Sequence, residues 1–220
     1  MARKRVPRGR TRGLLNRDRV VSAAIRMADA AGLEAISMRK LAEALGVEAM
    51  SLYHHVPNKE ALIDDMVDRV VGEIALPSPG KPWRGELRRR ANSALEVLIR
   101  HPWAALPMIS RMNTGPRMLS YMDRTHGCLL AAGFDHAKAD QARHLMDSHI
   151  YGFALQEIHF PIRPEDYASS ADAFLPSLPA SVYPHLRSVA EAIVSGRYDG
   201  RNSFSFGLEL ILDGLARKIP

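Results

Sequence analysis

Apolar residues recur along this chain with helical spacing almost everywhere. Val21, Ala24, Ile25 and Ala28 stand at i, i+3, i+4 and i+7, and Gly32 closes that segment. Ser37 has the chemistry of an N-cap for a short helix over residues 38–45, stopped by Gly46. A third short helix fits residues 49–55, because Pro57 forbids a simple continuation. Asn58 then caps a fourth helix that carries Ala61, Leu62, Met66 and Val70. Residues 76–82 hold three prolines and a glycine, which marks a boundary or a sharp turn.

Beyond that break the predicted helices lengthen. Leu87, Ala91, Ala94, Leu95, Leu98 and Ile99 form one stripe that ends at His101-Pro102. Thr114-Gly115-Pro116 opens a helix with Met118, Met122, Leu129 and Leu130 inside and Gly133 at its end. Asp135 caps the longest run, which continues to Phe160. Residues 161–184 contain five prolines and read as a loop with at most short helical turns. Two last helices fit about 184–195 and 203–218. The alternation in Ser203-Phe204-Ser205-Phe206 resembles a strand, but no second strand exists to pair with it, so the expected fold is all-α.

Three short helices within the first 55 residues, the second and third joined by a glycine turn, describe a helix-turn-helix. Leu41, Ala42, Leu45, Val47, Leu52 and Val56 supply its inner face. Ala49, Met50, Ser51, Tyr53, His54 and His55 then include the outward set. Serine and histidine can hydrogen-bond base edges or phosphates, methionine packs on a thymine methyl, and tyrosine bonds a phosphate oxygen. Pro57-Asn58-Lys59 presents a helix N-terminus and a lysine, the chemistry of a phosphate clamp. Structural alternatives stand beside these. Tyr53 is either a wedge between helices or a DNA contact, His55 a space-filler beside the fourth helix, and Met50 a core gap-filler or a base contact.

Charge sharpens this picture. The chain has 220 residues and a net charge of +6, but residues 1–17 hold seven Lys/Arg and no acid, leaving the remainder at −1. The basicity therefore belongs to an arm (residues 1–16), either a solvated tail or a segment for a polyanion. A single cysteine, Cys128, excludes an intrachain disulfide and a cysteine-cluster zinc site. No apolar run reaches the ~18 residues of a membrane span, and no signal-peptide core follows the basic start. The expectation is a cytoplasmic protein without a membrane segment. No phosphate loop, nucleophile elbow or paired-cysteine motif appears, so neither an enzyme nor a cofactor is expected.

The stretch "AAIRMADAAGLEAISMRKLAEALGVEAMSLYHHVPNKEALIDDMV" makes the resemblance specific. Residues 17–71 resemble the N-terminal domain of the TetR family of bacterial transcriptional regulators, and within it the tetracycline-repressor branch. That resemblance implies a homodimeric, ligand-responsive repressor released from a near-palindromic double-stranded DNA operator by a small-molecule inducer. It implies a DNA-binding unit over residues 17–75 and a larger helical ligand-binding and dimerisation domain over 83–220. It also implies that Arg39 touches DNA from the second helix, that residues 49–55 read bases, and that Lys59 grips a phosphate. Ala49-Met50 departs from the Gln-Pro of that branch and His54 from its tryptophan, so a different operator is expected.

Family members pair through two C-terminal helices and enclose a ligand cavity. The 136–160 run and the last helix are apolar round much of their circumference, as a four-helix dimer interface requires. Trp103, Met108, Met112, Met122, Met146 and Phe153, with His149 and Gln156 interspersed, are candidate ligand contacts, or equally a core padded with methionine. The family's drug-chelating histidine and threonine have only "RMNTGP" opposite them, with Arg111 in the histidine's place, so a metal-chelated tetracycline is not the expected ligand. Asp140, His144 and Asp147 share a helix face at i, i+4 and i+7. They form the one candidate metal set, against a solvated polar face with Arg143 and Lys138 nearby, and would carry the alternative of a metal-dependent enzyme; a non-regulatory adaptor is the other alternative.

Overall fold

The computed structural model describes residues 14–218, so the basic arm lies almost wholly outside the described residues. Eleven α-helices and no strand occur among them. They are α1 (Arg17–Ala31), α2 (Met38–Leu45), α3 (Ala49–Tyr53), α4 (Lys59–Val71), α5 (Trp83–Arg100) and α6 (Ala105–Ser110). α7 (Pro116–Ala131), α8 (His136–His159), α9 (Tyr167–Phe174), α10 (Pro184–Val194) and α11 (Phe204–Ala216) follow.

Side-chain caps start five of these helices. Asn16, Ser37, Asn58, Asp135 and Ser203 each accept a hydrogen bond from a backbone N–H in the first turn that follows. Gly46 ends α2 in the left-handed region, φ +66°, its N–H bonded to the Ala42 and Glu43 carbonyls. A side chain there would be strained, so glycine sets the angle at which α3 leaves.

α1 packs on α2 and α4, and α2 on α3, which makes a small bundle. α4 passes from it into the rest of the molecule, packing on α5, α6 and α7. α5 crosses α8, α7 and α11, while α8 also lies against α11. One apolar cluster runs continuously from Val20 to Leu215, with Leu62, Ile63, Met66, Val67, Val70 and Val71 of α4 in its middle. α9 and α10 pack chiefly on each other and bury little else.

Two segments differ from the sequence expectation, and a third, α6, lies where the spacing carries no expectation. α3 stops at Tyr53, and His54-His55 form a turn in which the His55 and Val56 N–H groups both reach the Leu52 carbonyl. α6 forms despite Pro107, because Pro107 falls in the first turn, where backbone N–H groups have no intrahelical partner. Residues 161–184 are not a loop throughout. Pro164 opens a 3-10 turn (Pro164–Asp166), and the proline-free stretch behind it folds as α9.

Candidate nucleic-acid interface and ligand cavity

The candidate reading face is built from the inside outward. Leu41, Ala42, Leu45, Leu52 and Val56 are buried, and Val47 packs partly buried on the same core. With Leu52 holding α3 down, Met50 stands 72% exposed, Tyr53 is 43% exposed, and His54 is exposed. Met50 is therefore no core filler. Ala49, Ser51, His55 and Lys59 are partly buried, and Arg39 projects exposed from α2. Among the described residues, Arg39, Ser51, Tyr53, His54 and Lys59 use no side chain on an internal hydrogen bond or ion pair. Their donors and acceptors remain available to something outside the chain.

This head is fastened to the rest by charged groups. Arg17 donates twice to Asp65, 2.7 Å for each bond, and Arg69 bonds Asp18, so α1 is tied to α4 at both sides. Asp29 near the end of α1 accepts from the Trp103 indole at 2.7 Å and pairs with His101 at 2.7 Å. Arg111, just after α6, donates to Asp64 (2.9 Å) and Glu60 (2.5 Å) on α4. Asp68 of α4 is buried and accepts from the Arg117 and Met118 N–H groups (2.9 and 3.0 Å), capping α7 from another element.

Two cavities matter for a ligand. One of about 610 Å³ lies between the end of α1, α4, α6 and α8, with Trp103, Leu106, Leu155 and His159 on its walls. The other, about 420 Å³, lies between the α6–α7 segment and α8. Its walls carry Met108, Ile109, Met112, Met118 and Met122 together with Arg111, Asn113, Tyr121, Arg143, Asp147 and Tyr151.

The eight ligand candidates from sequence do not converge on one site. Trp103 lines the first cavity, and Met108, Met112 and Met122 line the second, Met112 at its open rim and 90% exposed. Met146 is fully buried core. His149, Phe153 and Gln156 share the α8 face turned to the start of α11. His149 stacks on Phe204 at 4.8 Å and bonds its carbonyl at 3.0 Å, Phe153 meets the same ring, and Gln156 pairs with Asn202. The reason lies in tertiary packing. The candidates come from the segment before α6, from α6, the α6–α7 connection, α7 and α8, and no spacing within one helix says which of them meet.

The metal set is also corrected. Asp147 is engaged by Arg90 and Arg143, and Asp140 by Arg143 (3.0 Å) and His126 (3.3 Å). The Arg143 guanidinium also lies 2.7 Å from the His144 ring nitrogen, so a cation fills the place a metal would need. Hydrogen bonds from Arg143 and His126 hold the Asp140 carboxyl below its usual range. No group of three potential ligands that could hold a metal occurs among the described residues.

At the second cavity, sequence reasoning missed Tyr121 and Asn113 on the walls and Arg90 behind the Tyr121 ring, and it placed Arg143 only on a polar face. Arg90 did leave a signal. It stands three residues after Leu87 and four before Ala94, on the apolar stripe rather than on the exposed side with Arg89.

Comparison with known proteins follows the same division. Residues 20–66 match the family described as bacterial regulatory proteins, tetR family, and residues 76–219 match the tetracyclin repressor-like C-terminal domain. An HTH-type transcriptional regulator of Saccharopolyspora erythraea is 33% identical over 210 residues, covering 94% of this chain and 87% of that protein. The HTH-type transcriptional repressor DrrR1 of Streptomyces coeruleorubidus is 32% identical, covering 91% and 77%. The structure of Streptomyces coelicolor ActR in complex with actinorhodin superposes with a TM-score of 0.80 at 31% identity, covering 94% of this chain and 98% of that one. No helix among the described residues is long and apolar enough to cross a membrane. Matched over nearly its whole length by relatives about a third identical, with its helix-turn-helix head and helical C-terminal part each matched in turn, this chain belongs to the TetR family of bacterial transcriptional regulators.

Proposed function

We propose that the protein is a homodimeric repressor that grips a near-palindromic operator and lets go when a small organic molecule enters each protomer. The observation that carries this reading is the outer face of α3, where Met50, Ser51, Tyr53 and His54 stand free of internal partners above a buried Leu52. In this reading residues 17–75 are the DNA-binding unit and 83–220 the ligand-binding and dimerisation unit. Ala49, Met50, Ser51, Tyr53, His54 and His55 supply the base-reading surface, Arg39 a contact from α2, and Lys59 with the α4 N-terminus a phosphate grip. The basic arm adds charge-driven attraction to DNA.

Pairing is supported by apolar residues left open on two helices. Phe206 (69% exposed) and Leu210 (56%) stand i, i+4 on α11, and Leu145 is exposed on α8. Grouped apolar exposure of this kind is costly unless a partner covers it. Response to a ligand is supported by Arg111. It lines both cavities and holds Glu60 and Asp64, so a molecule that displaces the α6–α7 segment pulls on the helix bearing Lys59. ActR, similar along nearly the whole chain, was solved with actinorhodin bound. No catalytic step and no cofactor enter this reading.

Footprinting on DNA selected by the protein tests it. Two half-sites should be protected, with centres about one helical turn (~10 bp) or a multiple apart. A single asymmetric half-site contradicts the dimeric reader.

A further inference from the structure

The cavity between the α6–α7 segment and α8 concentrates a deficit. Five buried side-chain atoms lack a hydrogen-bond partner among the described residues, and all five belong to Arg90, Asn113, Tyr121 and Arg143. Native interiors leave few such atoms, and rarely together. Tyr121 is 1% exposed, lines the cavity, and its hydroxyl bonds nothing. Arg143 Nε and Asn113 Oδ1, on the same walls, are likewise unpaired. Behind the Tyr121 ring lies the Arg90 guanidinium, 4.5 Å from its centroid and fully buried, with Nε and Nη1 unused.

The missing partner has a definite chemistry. Four of the five atoms are donors, three of them guanidinium nitrogens, and only Asn113 Oδ1 accepts. Burial pushes the Tyr121 phenol well above its usual range, so it keeps its proton and donates. Charge points the same way. Arg90 and Arg143 share the buried Asp147, whose two oxygens are both taken, while Asp140 reaches Arg143 from a half-exposed position. Arg111 is spent on Glu60 and Asp64, and His144 is mostly in solvent. Within the buried interior two guanidinium groups therefore share a single carboxylate, and the second carboxylate reaches Arg143 only from the solvent side. Met108, Met118, Met122 and Ile109 give the remaining wall, soft and apolar, suited to a hydrocarbon body.

We infer that this cavity takes an organic anion, its apolar body against the methionines and its ionised oxygen hydrogen-bonded by Tyr121 and Arg143. The inference rests on the reading that the protein answers to a small molecule, and it names the class. At about 420 Å³ the cavity falls within the ordinary range for small-molecule sites.

Calorimetric titration of the full-length protein with anthraquinone-2-carboxylate and with anthraquinone-2-carboxamide tests it, since the two share a shape and differ in charge. The acid should bind at least about tenfold more tightly, the order of one hydrogen bond to a charged group. Tyr121→Phe should lower affinity for the acid about tenfold, lower affinity for the amide less, and leave affinity for operator DNA unchanged. Equal binding of the two probes, binding of neither, or an unaltered acid affinity in Tyr121→Phe would overturn the inference. Gel shifts run in parallel keep the two claims apart. A protein that shifts DNA yet ignores the acid loses this inference alone, whereas one that prefers the acid and binds no DNA loses the repressor reading.

Discussion

Replacing Asp68 separates a packing role from a capping role. Its carboxylate is 7% exposed, and one oxygen accepts both first-turn N–H groups of α7, from Arg117 and Met118, at 2.9 and 3.0 Å. The other oxygen meets the half-exposed Arg117 guanidinium at 3.2 Å. α7 has no cap of its own, because Gly115 stands at its N-cap position. That glycine is also required sterically, since a Cβ there would lie 2.2 Å from the Asp68 oxygen. In Asp68→Ala the cap is lost, worth about 1 kcal/mol, and buried N–H groups go unpaired, costing about 1–3 kcal/mol more. The expected loss is roughly 2–4 kcal/mol. Asp68→Asn keeps an oxygen where both N–H groups converge and forfeits only charge, so about 1 kcal/mol is expected. Urea unfolding of the two variants beside the parent, at fixed protein concentration, measures the gap of about 2 kcal/mol. Equal losses in the two variants would refute the capping argument and leave volume as the only role of Asp68.

Other outcomes follow from the same geometry. Ser51→Ala and His54→Ala should change which bases are preferred, costing ~1–3 kcal/mol at the cognate position, read by selection from randomised half-sites. Lys59→Ala should instead weaken all sequences alike and lower the salt slope by about one; a relaxed base preference with an unaltered slope would reverse the roles. Glu209 joins α11 to α5 through Arg88 and Arg84, which hold its carboxyl down to about 2 from an ordinary 4.5. A depressed acid stabilises above its unfolded value and loses that contribution as pH falls through its folded value. The melting-temperature gap between parent and Glu209→Gln should therefore be steady above pH 5 and close as pH approaches 2.

Sequence carried most of the head and little of the cavity. Ser37, Gly46 and Asn58 bound their helices by local chemistry, and the buried set from Leu41 to Val56 repeats at spacings a reader can count. α6 is six residues long with Pro107 inside its first turn, too short to show a helical spacing that can be counted. Arg90, Tyr121 and Arg143 meet from α5, α7 and α8, and no spacing within one helix encodes a meeting of three. Arg90 stands beside Arg88 and Arg89 in the sequence, and only the helical phase sets it apart from them. Asp140, His144 and Asp147 do share a face, but Arg143, named from sequence as part of the polar-face alternative, already engages both carboxylates.

The apolar cluster that runs unbroken through α4 bears on how this chain can be cut. Residues 76–82 look like a natural place to sever it, yet the side chains of α4 that precede the cut belong to an interior shared with α5, α6 and α7. A fragment ending there carries Val67, Val70 and Val71 away from part of their covering, and presents to water a greasy flank built for burial. The complementary fragment inherits the matching hollow. Engineers who wish to graft this head onto another sensor must therefore move α4 together with the surface it leans on, or repaint that flank with polar residues first.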